Sequence, residues 1–369
     1  LAKLCYHLQN TPTKKKNLTF LLLIISFFSN TAFGQTPEEV RKIVANYDLK
    51  LLKEKEEFYR RKEQSEKKKA LSAAAINNWP IVIQKEDGSL AELMKLSPDG
   101  YPMYYSTDNV NAARSTRTNH LHSGGSLGLN LEGQGMTVRV WDGGRVRASH
   151  NAFGGRVTVV DNPTEALVAH STHVTGTMIA SANPATIKGM APQASARTFN
   201  WTDDESEALS EIQLGMLVSN HSYGVPISGS TGPLPSWLIG AYISDSYAWD
   251  EIAYLSPYYL QVASAGNDGD NNANTDPIAT GFDKLVGNKV AKNNLVVANA
   301  QDVSTNSDGT ISGSININSS SSQGPTDDFR IKPDITGNGT GLTSTNSTSN
   351  TSTTVMTGTS MSSPNVAGS

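Results

Sequence analysis

The sequence predicts an α/β fold with a mostly parallel central sheet, preceded by a charged helical segment at the N-terminus. Three observations predict it. Short apolar runs at Val138–Trp141, Val157–Val160, Gln261–Ala265 and Leu295–Ala298 read as buried strands. Helix-like segments lie between them, the alternation of a parallel sheet covered on both faces. Residues 37–70 instead carry interleaved charges of both signs, the pattern of a solvated helix with i,i+4 pairs. The chain is long enough for one substantial core and has no evident repeat period.

Taken in order, the N-terminus reads as a secretion signal. Lys14-Lys15-Lys16 is a basic start and Leu18–Phe28 an apolar run. Ala32-Phe33-Gly34 then supplies small residues for a cut after Gly34. The run is short for a membrane span, and an uncleaved anchor is the alternative. Residues 1–13 lie upstream of the true start or belong to a longer basic region. The single cysteine, Cys5, precedes the cut, so the mature chain has neither disulfides nor thiol chemistry. Export without cysteine fits a bacterial extracellular or periplasmic protein, in which Asn338-Gly339-Thr340 carries no glycan.

Pro37 suits the first turn of the charged helix. Its lysines do not make a nucleic-acid patch, because acids are interleaved and the net charge is −4. From Leu71 to about Arg114, short strands and turns follow, as in Trp79–Ile83 and Ser97–Gly100.

Four motifs carry chemistry. Val138–Gly144 is an apolar strand ending in Asp142, with an ordinary Asp-Gly turn as the plainer reading. His170 opens a small-residue helix, where an imidazole can take and return a proton. His173, three residues on, allows a metal pair, but no His-Glu-x-x-His pattern or nearby cysteine supports one. Gln261–Gly269 runs into Asn267, whose amide can donate to an oxyanion or simply occupy a turn. Gly358–Pro364 places Ser360 at a helix start, where free N–H groups and the helix dipole favour negative charge.

In their order Asp142, His170, Asn267 and Ser360, these motifs resemble the subtilisin-like (S8) serine peptidases. Gly189–Ala194, Val218–Gly224, Ser321–Pro325 and Lys332–Asp334 extend the resemblance over roughly residues 115–369. Two departures stand out: Ser171 replaces the usual Gly after the histidine, and Asp142 is followed by Gly143-Gly144.

The resemblance implies a three-layer α/β/α fold and an Asp142–His170–Ser360 triad, with Asn267 in the oxyanion hole. It implies a peptide or protein substrate bound along Ser222, Gly224, Ala263 and Gly266, with a bulky apolar P1 residue expected. It implies that catalysis needs no cofactor. Structural calcium is a family habit, but Asp268–Asn272 reads as a polar turn. By position, residues 35–114 match a propeptide that inhibits or chaperones its own enzyme, and residues 115–369 match the peptidase domain. That domain is expected to be incomplete beyond Ser369, leaving the 369 residues alone inactive or insoluble. A silent peptide-binding module and an esterase are the alternatives. The intact triad opposes the first, and the absence of a Gly-x-Ser-x-Gly elbow opposes the second.

Overall fold

Thr36 starts the first helix, α1 (Pro37–Val44), by a reciprocal cap. Its hydroxyl accepts the Glu39 N–H at 3.2 Å, and the Glu39 carboxylate accepts the Thr36 N–H at 2.7 Å. The structure, a computed structural model, describes residues 35–84, 90–106, 116–161, 163–181, 187–229, 232–306 and 310–369. The expected signal peptide, Cys5 and the expected junction near residue 114 lie outside the described residues.

Helix α2 (Leu49–Asn77) begins at Asp48, whose carboxylate accepts the Leu51 N–H. It is not the solvated helix its charges predict. Leu52, Tyr59, Ala70 and Ala74 are buried along it. An antiparallel sheet follows, ordered β1 (Val82–Gln84), β2 (Leu90–Leu96) and β3 (Pro102–Ser106). Ala70 and Ala74 pack against Leu93 and Tyr104 of that sheet.

The larger part comprises β4 (Thr137–Asp142), β5 (Val157–Val159), α3 (Ala169–Ile179), β6 (Ser195–Asn200), α4 (Asp204–Gln213) and β7 (Val218–His221). There follow the short pair β8 (Ser228–Gly229) and β9 (Gly232–Pro233), then α5 (Ser244–Leu255), β10 (Leu260–Ser264), β11 (Leu295–Ala300) and β12 (Ile335–Asn338). The hairpin β13 (Thr340–Thr345) and β14 (Thr353–Thr357) leads to α6 (Thr359–Gly368).

Seven strands form one parallel sheet, ordered β12-β11-β10-β7-β4-β6-β5. Alternation along β4 assigns the faces. Val138 and Val140 pack with Val174 and Met178 of α3 and Met361 of α6. Trp141 packs with Leu209 and Ile212 of α4 and Trp249 of α5. The fold is therefore a three-layer α/β/α sandwich. The chain enters the sheet at β4, builds β5 and β6 on one side, then crosses to β7 on the other. Strand order reverses there, and crevices open at the strands' C-terminal ends at such a point.

The charges of α2 have partners beyond their own helix. Lys62 meets Glu205 at 3.0 Å, Lys55 meets Glu251 at 2.8 Å, and Tyr59 Oη donates to Glu251 at 2.8 Å. Lys95 of β2 pairs with Asp245 at 2.7 Å. Gln35–Ser369 accordingly forms one compact unit. Two smaller expectations are also corrected. Val157–Val159 is an edge strand with Thr158 exposed, so it is buried on only one side. The Ser/Thr/Asn-rich stretch Thr340–Thr354, whose low-complexity composition predicts a surface loop, forms most of a hairpin whose hydroxyls tie it to α3. Ser344 Oγ donates to His173 O and Thr345 Oγ1 to Thr172 O.

Candidate active site

Asp142 ends β4, one residue past the strand's last bond to β7. It is 1% exposed, and His170, the second residue of α3, is 2% exposed. Asp142 Oδ1 accepts the Gly143 N–H at 2.7 Å and meets His170 Nδ1 at 2.7 Å. Burial pushes the Asp142 carboxyl pKa up, while the His170 contact and the Gly143 N–H act against that rise. Asp142 Oδ2 is buried without a hydrogen-bond partner among the described residues.

The Asp-Gly-Gly departure has a steric cause. A methyl group on Gly143 would lie 2.6 Å from Cη2 of the buried Trp201 indole. Gly144 has φ +78°, and a methyl there would lie 2.3 Å from Val168 Cγ2. The Ser171 departure is harmless to the backbone, because the position is helical and its hydroxyl donates to Val168 O. His173 does not join His170. It is fully buried with Nε2 on the Leu342 carbonyl, and burial lowers its pKa to about 3.

Ser360 is the second residue of α6, which packs against α3. Its Oγ donates to Ser222 O at 2.8 Å. Pro364 has no N–H to give the Ser360 carbonyl, one helical turn back. Ser222 Oγ supplies the missing donor at 2.8 Å. Asn220 Nδ2 donates to the same Oγ, and Ser363 Oγ donates to Asn220 Oδ1. All these side chains are buried. Ser222→Ala is therefore expected to cost about 1–3 kcal/mol by stranding the Ser360 carbonyl and the Asn220 amide. A urea midpoint unchanged by the substitution would contradict this.

Asn267 follows β10, whose neighbour in the sheet is β7. Its Oδ1 accepts the Thr359 N–H at 2.9 Å and the Thr359 hydroxyl at 3.3 Å. The Thr359 hydroxyl in turn accepts the Gly266 N–H at 3.0 Å. The acceptor end of the amide is thus fixed on the start of α6. Gly266, at φ +104°, also accepts the Ser322 N–H through its carbonyl. Ser222, Gly224, Gly266 and Asn267 therefore lie just past two adjacent strand ends, beside the start of α6. Ala263 does not join them. It sits within β10, paired with His221 on one side and Val296 on the other, so its backbone has no ladder position left for a peptide.

The space left by the two glycines is occupied. The three atoms nearest a methyl built on Gly224 all belong to Lys289, with Nζ at 2.2 Å. A methyl on Gly266 would lie 3.3 Å from the same Nζ. Asn220, Trp201 and Lys289 were not singled out by sequence reasoning. Asn220 had a signal, since it shares a strand face with Ser222 two residues on. Lys289 had none.

Asp268–Asn272 forms a hydrogen-bonded turn. Asp268 Oδ2 accepts the Ile227 N–H, Oδ1 accepts from Asn271 Nδ2, and Asn271 Oδ1 accepts the Ala273 N–H. Among the described residues, no group of three or more His, Cys, Asp or Glu is placed to hold a metal ion, and no helix is long and apolar enough to cross a membrane.

Comparison with known proteins follows the same outline. The family model described as the subtilase family matches residues 133–369. Among solved structures, a cold-adapted subtilisin-like serine proteinase is 19% identical, with 65% of this chain and 75% of that chain covered and a TM-score of 0.42. The self-cleaved protease domain of PatA is 20% identical, with 64% and 79% covered and a TM-score of 0.45. No curated protein matches.

Proposed function

Since the chain belongs to the subtilase family of serine peptidases, we propose that it is a secreted endopeptidase acting through Asp142, His170 and Ser360. The observation that supports this reading best is the buried 2.7 Å contact between Asp142 Oδ1 and His170 Nδ1. A carboxylate there holds the proton on Nδ1 and leaves Nε2 as the base. His170 takes the Ser360 proton as Oγ attacks a peptide carbonyl, and an acyl-enzyme forms. The imidazolium then protonates the leaving amine, and water completes the cycle by the reverse route.

The developing oxyanion lies at the N-terminus of α6, where the backbone N–H groups and helix dipole favour it. Asn267 provides the second donor. With Oδ1 fixed on Thr359, its Nδ2 is the end of the amide that serves the oxyanion. Asn267→Ala is expected to lower turnover about 10²–10³-fold, the magnitude found for the equivalent loss in a subtilisin. Steady-state kinetics on a peptide substrate checks it, and a loss below tenfold would remove Asn267 from the mechanism.

Residues 35–114 act on this reading as the chain's own inhibitor or chaperone. The ion pairs of α2 and β2 with α4 and α5 support that role. The basic and apolar N-terminal sequence supports export. Incubation of the purified protein with casein, followed by mass spectrometry, tests the whole. Internal cuts that depend on Ser360 are expected. Trimming from the chain ends only would contradict an endopeptidase.

A further inference from the structure

Two carboxylates converge on Gly240. A methyl built there would lie 2.4 Å from Asp327 Oδ1 and 2.6 Å from Asp283 Oδ1. Gly240 has φ +81°, so only a glycine suits both its backbone and the space beside it. Asp283 is 1% exposed, and its Oδ1 is buried without a hydrogen-bond partner among the described residues. Its other oxygen is satisfied, accepting from Asn274 Nδ2 and from the Ile278 N–H. The unpaired oxygen is the one that faces Gly240, as does Asp327 Oδ1. We propose that Asp283 and Asp327 bind a calcium ion beside Gly240. The inference goes beyond the endopeptidase reading and stands whether or not Ser360 attacks.

Three features carry it. First, an unpaired carboxylate oxygen is costly to bury, and two carboxylates that converge repel each other. Burial raises both carboxyl pKa values, and the Asp283 charge raises that of Asp327 further. Second, the chain supplies no cation of its own at this place. Lys284, next to Asp283 in sequence, directs its ammonium to the Gly269 carbonyl. Arg330 pairs with Asp328 at 2.9 Å and donates to the Val290 carbonyl. Neither Asp283 nor Asp327 has an ion pair among the described residues. Third, the donor set suits calcium, a hard cation that takes oxygen ligands only. Calcium accepts water and main-chain carbonyls beside carboxylates, so the site needs no third acidic side chain. Three segments already meet there. The Gly240 N–H donates to Leu285 O at 2.8 Å, the Asp327 N–H to Gly240 O at 3.0 Å, and the Asp283 N–H to Gly324 O at 3.1 Å. A bound ion would fasten these segments to one another.

The test titrates calcium chloride into the full chain after stripping with EGTA, in a Ser360→Ala background so that self-digestion plays no part. Calorimetry reads binding and thermal melting reads stability, beside the same chain carrying Asp283→Asn or Asp327→Asn. We expect half-saturation at about 0.1–1 mM, the range of calcium sites in extracellular modules. The melting temperature is expected to rise by about 5 °C at about 10 mM calcium. Asp283→Asn is expected to abolish both responses, and Asp327→Asn to raise the half-saturating concentration at least about tenfold. Asp327 is exposed, so its variant carries the test alone should Asp283→Asn fail to fold. A parent chain that neither binds calcium nor melts higher with it would overturn the inference. So would a calcium response undiminished in both variants, which would put the ion elsewhere. A parent indifferent to calcium, with both variants melting above it, would show instead two acids sharing a proton, and would also overturn it.

Discussion

Replacing Ser360 with alanine is expected to lower turnover by about 10⁶-fold while leaving the fold intact. The magnitude is carried over from a subtilisin, a member of the same family. The structural argument is specific to this chain. The Ser360 hydroxyl is directed to the Ser222 carbonyl from the first turn of a helix whose carbonyl at the same residue is held by Ser222 Oγ. Alanine keeps the backbone half of that exchange and removes the nucleophile alone. The unfolding free energy from urea denaturation is therefore expected to change by only about 1 kcal/mol, since the lost hydroxyl is a single hydrogen bond. Peptide hydrolysis followed by mass spectrometry checks the rate. Residual activity within a hundredfold of the unaltered protein would mean that another group attacks.

Asp142→Asn is expected to lower kcat/KM by about 10⁴-fold. The amide is nearly the same shape, but Gly143 N–H and His170 Nδ1 both meet Oδ1, so an NH₂ placed there faces both of them. It carries no negative charge to stabilise an imidazolium, and it can present a donor to His170 where the mechanism needs an acceptor. Its NH₂ could alternatively take the place of Oδ2, which has no hydrogen-bond partner among the described residues. Either placement costs something: the first fixes the wrong tautomer, the second buries an unpaired donor. A pre-steady-state burst slowed to the same degree as turnover would place the loss in acylation. Activity within tenfold of the unaltered protein would contradict the role assigned to the carboxylate.

Much of this site was readable because chemistry restricts residue type. An apolar strand ending in Asp142, a helix opening with His170 and a helix start at Ser360 are each local patterns, and their order carries the rest. The parallel sheet was readable from its apolar runs for the same reason. What remained hidden depends on partners far along the chain. The alternating charges of α2 look solvated until Glu205 and Glu251 are brought beside them. The Ser/Thr-rich hairpin looks like low complexity until its hydroxyls find the carbonyls of α3. Gly143 looks like a departure from a pattern until Trp201 takes its space. A methyl built on Gly224 or Gly266 meets the Lys289 side chain, a neighbour that nothing in the sequence announces. Ala263 is the converse case, a residue near a motif in sequence whose position in β10 is already paired by both neighbouring strands.

The central claim is that Ser360 is an activated nucleophile. Its most direct test is fluorophosphonate labelling of the folded protein beside its Ser360→Ala variant, with the modified residue mapped by mass spectrometry. The account predicts a single labelled site at Ser360 and no label in the variant. A folded protein that takes no label, or takes it elsewhere, would contradict it.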